Sequence, residues 1–184
     1  MRVALGKTDL QVHPLCLGGN VFGWSANAEQ SQEVLAAYET SGGNFIDTAA
    51  SYAAGDAERV IGGLVGTFFN REDVVIATKA GITFPEGVRT VNNSRHFLIG
   101  ELEKSLTRLG TDYVDIWQIH SWDADVALED TLSALDFAYT SGKARYVGIS
   151  NFNGWQSARA ISLQEANTAK APIATIQSEY SLLN

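Results

Sequence analysis

The residues able to do chemistry stand at the ends of apolar runs. Asn44-Phe45-Ile46-Asp47 closes in a carboxylate, and beyond the small-residue turn Thr48-Ala49-Ala50-Ser51 a phenol, Tyr52, stands five positions on. Ala77-Thr78-Lys79 closes another run in an ammonium, Gln118-Ile119-His120 in an imidazole, and Ile149-Ser150-Asn151 in a hydroxyl and an amide. Brought to one pocket, Asp47, Tyr52, Lys79 and His120 suit proton transfer. A free phenol, with a pKa near ~10, is hard to ionise at neutrality, and a neighbouring ammonium favours its phenolate. Lys79 can supply that charge, and Asp47 opposes the tendency of a desolvated lysine to lose its proton. His120 adds a hydrogen bond to the same oxygen and orients it.

A phenol so tuned fits the reduction of a carbonyl, where a proton reaches oxygen as a hydride reaches carbon. Side chains do not deliver hydride, so the chemistry requires a nicotinamide. Ser150, Asn151 and Gln177 offer hydroxyl and amide groups for a carboxamide, and Tyr180 offers a flat face for the ring.

These residues need elements to position them. Arg2 to Leu5 and Leu10 to His13 flank Gly6-Lys7-Thr8-Asp9 and read as a β-hairpin. Leu15 to Gly18 reads as a short buried strand that runs into the loop Gly19-Asn20-Val21-Phe22-Gly23-Trp24. A helix over Ser31 to Thr40, with Val34, Leu35 and Tyr38 on its apolar face, ends at Ser41-Gly42-Gly43. The strand Phe45 to Asp47 precedes a helix that Asp56 can cap and whose stripe is Val60, Ile61, Leu64, Val65 and Phe68. The unit then repeats. Strands are expected at Val74 to Ala77, Tyr113 to Ile119, Tyr146 to Ile149 and Ile173 to Ile176. The helices between them run from about Ser94 to Leu109, through Leu128, Leu132, Leu135 and Tyr139, and through Trp155, Ala158 and Ile161.

Alternating strands and helices imply a parallel sheet joined by right-handed crossovers. A doubly wound sheet would carry a G-x-G-x-x-G turn after its first strand, and Gly18-Gly19-Asn20-Val21-Phe22-Gly23 does not fit one. A (β/α) barrel instead puts polar groups at the carboxyl ends of several strands, as here. Strand parity agrees. Phe45 faces the same way as Asp47, Val75 and Ala77 as Lys79, Val114, Ile116 and Gln118 as His120, and Tyr146 and Gly148 as Ser150.

Composition narrows the function classes. The 184 residues are 45% hydrophobic and 18% charged, enough for one packed domain over 1–184. A net charge of −8 argues against a nucleic-acid partner, and no apolar run reaches membrane-spanning length. One cysteine, Cys16, and no basic and apolar leader point to the cytoplasm. Cys16 reads as a small strand hydrophobe, Asp115 as a buried structural carboxylate, and Glu58 as a first-turn residue favoured by its helix dipole. His13 and His96 lie outside the strand-end set, and no cluster has metal-ligand spacing.

The stretches Asn44 to Tyr52, Ala77 to Lys79, Asp112 to His120, Gly148 to Phe152 and Gln177 to Leu182 together resemble the aldo-keto reductase family in order and spacing. The resemblance implies a (β/α)8 TIM-type barrel with an N-terminal β-hairpin. It also implies NADPH, with NADH the alternative, bound without a Rossmann domain, and a small-molecule aldehyde or ketone as substrate. Tyr52 is then the general acid, tuned by Lys79 and Asp47, and His120 orients the carbonyl. Asn20, Asp47, Ser150, Asn151, Gln177, Tyr180, Ser181 and Leu182 would bind the cofactor, with Trp24 and Trp122 as pocket walls. Members of that family continue for two further strand-helix units, so the chain is expected to cover about the first six β/α units and to be C-terminally incomplete. Self-association or a remaining segment would then complete the barrel. Two other readings use the same residues: a Schiff-base lyase acting through Lys79, and a non-catalytic dinucleotide-binding subunit or remnant.

Overall fold

The computed structural model describes residues 1–166 and 170–183. In chain order the elements are β1 (Val3–Ala4), β2 (Gln11–Val12), β3 (Leu17–Gly18), α1 (Ala28–Thr40), β4 (Phe45–Asp47), α2 (Asp56–Phe68) and β5 (Val75–Ala80). A small hairpin follows, β6 (Ile82–Thr83) with β7 (Thr90–Val91), then α3 (Arg95–Leu109), β8 (Val114–Ile119), α4 (Leu128–Thr140), β9 (Ala144–Ser150), α5 (Gly154–Glu165) and β10 (Ile173–Gln177).

β3, β4, β5, β8, β9 and β10 form one sheet, each strand paired in parallel with the next, with a helix in every crossover. A doubly wound sheet would reverse its strand order and carry helices on both faces. Here the order is sequential and one face takes the helices, as in the wall of a (β/α) barrel.

Side-chain alternation produces this division. Ile46, Ile76, Trp117, Ile119, Val147 and Ile149 pack outward against helix residues that include Leu35, Ile61, Leu98, Leu102 and Leu132. Each such fully buried aliphatic side chain contributes roughly 2 kcal/mol of transfer free energy. Phe45, Val75, Ala77, Ile116 and Tyr146 point to the other face and meet Leu10 and Val12 of the opening hairpin. Because Phe45 and Val75 begin their strands, the hairpin covers the amino ends and leaves the carboxyl ends open. Val114 departs from the expected inward set and joins the helix-facing cluster.

Several local expectations are corrected. The strand after the hairpin is only Leu17–Gly18, and it is not buried: Leu15 beside it is 66% exposed on the sheet edge. α1 begins before Ser31, at Ala28, because Asn27 and Gln30 form a reciprocal capping box. Its buried face is Ser31, Leu35 and Tyr38, while Val34 is exposed. Asp56 does not cap α2: Gly55 holds that position at φ 92°, and Asp56 pairs with Arg59. The β6–β7 hairpin has too short an apolar alternation to be read from sequence.

Candidate active site

Parallel pairing in register brings the polar strand ends to one rim. Asp47 ends β4, Lys79 lies near the end of β5, His120 follows β8, Ser150 ends β9 and Gln177 ends β10. Lys79 is fully buried, and its Nζ donates to Asp47 Oδ2 at 2.7 Å and to the Thr48 carbonyl at 2.9 Å. These two oxygens offset the cost of desolvating an ammonium. The same Nζ stands 5.2 Å from the centroid of the Tyr52 ring. That ring meets His120 edge to face, with centroids 5.6 Å apart. Carboxylate, ammonium, phenol and imidazole are thus neighbours.

His120 is held neutral. Burial, then the charges of Lys79 and Arg89, push its pKa down from 6.5 to about 3. Ser51 Oγ lies 3.4 Å from its Nδ1, a contact that sequence reading missed although Ser51 adjoins Tyr52.

Tyr52 opens a tight turn, Tyr52–Gly55, in which Ala53 and Ala54 take left-handed φ values of 48° and 54°. Such a conformation is costly for alanine and persists only when its surroundings impose it. Glu58 is part of those surroundings. The expectation of a first-turn residue explained by the helix dipole is corrected: Glu58 is fully buried and accepts from Thr78 Oγ1 and Arg108 Nε, each at 2.6 Å. The Arg108 side chain also lies against Gly55, where an added Cβ would be 2.8 Å from its Cδ. The turn bearing Tyr52 and the strand bearing Lys79 are therefore tied through one buried ion pair.

A chain of amide and hydroxyl groups lines the next strand ends. Asn151, at φ 56°, donates through Nδ2 to the His120 carbonyl at 2.8 Å and to Ser150 Oγ at 3.1 Å. Ser150 Oγ donates to Gln177 Oε1 at 3.3 Å, and Gln177 Nε2 donates to Asp47 Oδ2 at 3.3 Å. Asp47 Oδ1 is buried with no hydrogen-bond partner among the described residues.

Other expected site residues lie apart. Trp24 is 77% exposed and borders a cavity of about 620 Å³ with Ser51, Ala53, Ile82 and Phe84. Trp122 instead packs edge-on against Phe152 and Trp155, with centroids 5.3 Å away in each case. Asn20, Tyr180 and Leu182 are exposed, and Ser181 Oγ accepts from the Leu183 N–H. None of these four hydrogen-bonds to the strand-end cluster among the described residues. Asp115 is buried between Arg71 and Arg145 and accepts from the Ile76 N–H. Cys16 is half-buried, and desolvation, then the charge of Asp47, pushes its thiol up to about 12, away from the thiolate form. No cluster able to hold a metal ion occurs among the described residues.

Comparison with known proteins agrees with this fold. The model of the Aldo/keto reductase family matches residues 14–184. Aldo-keto reductase YhdN of Bacillus subtilis is 32% identical over 166 residues, which are 90% of this chain and 48% of that protein. Norsolorinic acid reductase of Aspergillus flavus is 31% identical over 193 residues, covering 98% of this chain and 50% of its own. The holo form of aldo-keto reductase AKR11C1 from Bacillus halodurans superposes with a TM-score of 0.81 at 27% identity, over 98% of this chain and 57% of that one. The chain spans about half the length of the curated relatives it matches. Sequential parallel strands, a carboxylate, phenol, ammonium and imidazole on one rim, and a family match over nearly the whole length make this chain a member of the aldo/keto reductase family.

Proposed function

We propose that the chain carries the proton-transfer site of an NADPH-dependent reductase of aldehydes and ketones. The observation that carries this reading is the buried Lys79 ammonium, paired to Asp47 and standing over the Tyr52 ring. Tyr52 gives its proton to the carbonyl oxygen. The Lys79 ammonium stabilises the phenol oxygen as its proton leaves, while Asp47 and the Thr48 carbonyl accept its hydrogen bonds and fix its position. Held in this way, Lys79 is an electrostatic partner rather than the free amine a Schiff base requires. His120 contributes as a neutral donor: assigning the Ser51 hydroxyl as donor to Nδ1, 3.4 Å away, puts the ring hydrogen on Nε2, where it would meet the same substrate oxygen.

The residues present fit a nicotinamide dinucleotide. Asp47 Oδ1 is a buried acceptor in need of a donor, as a sugar hydroxyl would be, and Ser150, Asn151 and Gln177 present complementary groups for a carboxamide. When bound, the nicotinamide supplies the hydride. Tyr180 would stack on its ring, with Asn20, Ser181 and Leu182 along the rest of the cofactor, and Trp24 and Trp122 would bound the substrate. The preference for NADPH over NADH rests on the family resemblance.

No helix among the described residues is long and apolar enough to cross a membrane. The cytoplasm remains our reading of the compartment, and the edges at β3 and β10, unpaired among the described residues, are where a second copy or further chain would pair.

Tyr52→Phe tests the proposal. Turnover of an aldehyde panel should fall by ~10²-fold or more, while NADPH binding, followed by protein fluorescence, persists. Undiminished turnover would contradict the role of Tyr52, and nucleotide binding without turnover in the unmodified chain would favour a non-catalytic dinucleotide-binding subunit.

A further inference from the structure

The β6–β7 hairpin stands between β5 and α3, beside the rim that carries Lys79 and His120. Its connecting segment presents apolar side chains outward, Phe84 at 52% and Val88 at 64% exposure. Next to them is Arg89. One end of its guanidinium donates to Ser121 Oγ at 3.2 Å, and Ser121 directly follows His120. The positive charge reaches the site, since it is one of the causes that keep His120 unprotonated.

Arg89 also differs from most guanidinium groups here. Arg59, Arg71, Arg108 and Arg145 each hold a carboxylate within ion-pair distance, whereas Arg89 holds none among the described residues. In a chain of net charge −8, acidic partners are plentiful, yet this exposed guanidinium, beside the residue that follows His120, pairs with none of those described and can take an incoming anion. The guanidinium is anchored on a neutral hydroxyl, and among the described residues its charge is uncompensated and its other donors are open to a planar oxyanion. The general negative field would otherwise repel anionic substrates.

We propose that Arg89 anchors an oxyanion on the substrate, so that the site selects carbonyl compounds bearing a carboxylate or a phosphate. This rests on the reductase reading for where the carbonyl lies. Phe84 and Ile82 line the cavity that also borders Ser51, and the apolar body of such a substrate would lie there and reach out along the Phe84–Val88 segment to Arg89, which stands outside that lining.

The test uses three probes on the purified chain: benzaldehyde, 4-carboxybenzaldehyde and 4-formylphenyl phosphate. The ratio of kcat/KM for the charged aldehydes over benzaldehyde should fall by ~10-fold in Arg89→Gln and recover in part in Arg89→Lys, which keeps the charge without the fork. The carboxylate and phosphate arms identify which oxyanion is preferred. Calorimetric titration of the same compounds, with no turnover required, should show ~10-fold weaker binding of the charged pair to Arg89→Gln. Binding that depends on Arg89 in a chain that reduces nothing would support the anchor and sink the reductase reading. Reduction with a substrate ratio that Arg89→Gln leaves unmoved would overturn the anchor alone. A titration of Arg89→Gln indistinguishable from that of the unmodified chain overturns it whatever the turnover.

Discussion

Burial first, then the charges of Lys79 and Arg89, lowers the pKa of the His120 ring from an ordinary 6.5 to about 3. The consequence for stability has a definite sign. Across that window the unfolded chain binds a proton that the folded chain refuses, so stability is lost as pH falls from 6.5 toward about 3. His120→Asn should therefore show a smaller drop in Tm than the unmodified chain when pH is lowered from about 7 to about 4. Equal drops would refute the assignment of His120 as a buried neutral ring. Cys16 makes a separate prediction at this scale. With its thiol pushed up to about 12, half-buried Cys16 should resist alkylation by iodoacetamide at neutral pH until the chain is unfolded, and rapid labelling of the native protein would contradict that upward shift. Both effects come from surroundings rather than from residue type. The sequence identified His120 and Cys16 but had no access to how dry their positions are.

At the scale of elements, the ion pair between Glu58 of α2 and Arg108 of α3, with Thr78 of β5 as third member, fastens three elements behind the reactive rim. Removing Glu58 leaves the largely buried Arg108 without its close partner, its remaining carboxylate, Glu101, standing at 3.9 Å. Glu58→Ala should cost about 3 kcal/mol in urea denaturation, and a loss below about 1 kcal/mol would mean that the pair holds nothing together. The α2–α3 contact makes a steric prediction too. A Cβ at Gly62 would lie 2.7 Å from the Arg108 carbonyl oxygen, and backbone cannot give way as a side chain can, so Gly62→Ala should lower Tm measurably. An unchanged Tm would show that the helices can separate at little cost. Helices α1 to α5 were legible because apolar spacing and terminal glycines are local signals, as Gly110 and Gly142 show at φ 66° and 74°. Glu58 was not legible in the same way. Its partners lie 20 and 50 residues away in the chain, and a first-turn glutamate has a sufficient local explanation without them.

At the scale of the whole molecule, a sequential parallel sheet has an edge at β3 and another at β10 among the described residues. Such edges offer unpaired backbone donors and acceptors, and Ile176 on β10 is 50% exposed beside one of them. Sedimentation of the isolated chain should show association that rises with concentration and that Ile176→Lys reduces. A monomer that holds its size at high concentration would overturn that expectation. The sequence by itself determined the alternation of strands and helices, the rim positions of Asp47, Lys79, His120 and Ser150, and the family resemblance, since a period of two, a period near 3.6 and a motif are written along the chain. Only the tertiary structure decided that Ser51 meets His120, that Glu58 is buried against Arg108, that Arg89 leans on Ser121 and that the imidazole stays neutral. Those facts depend on which distant groups meet and how much water they lose on meeting, and packing alone sets both.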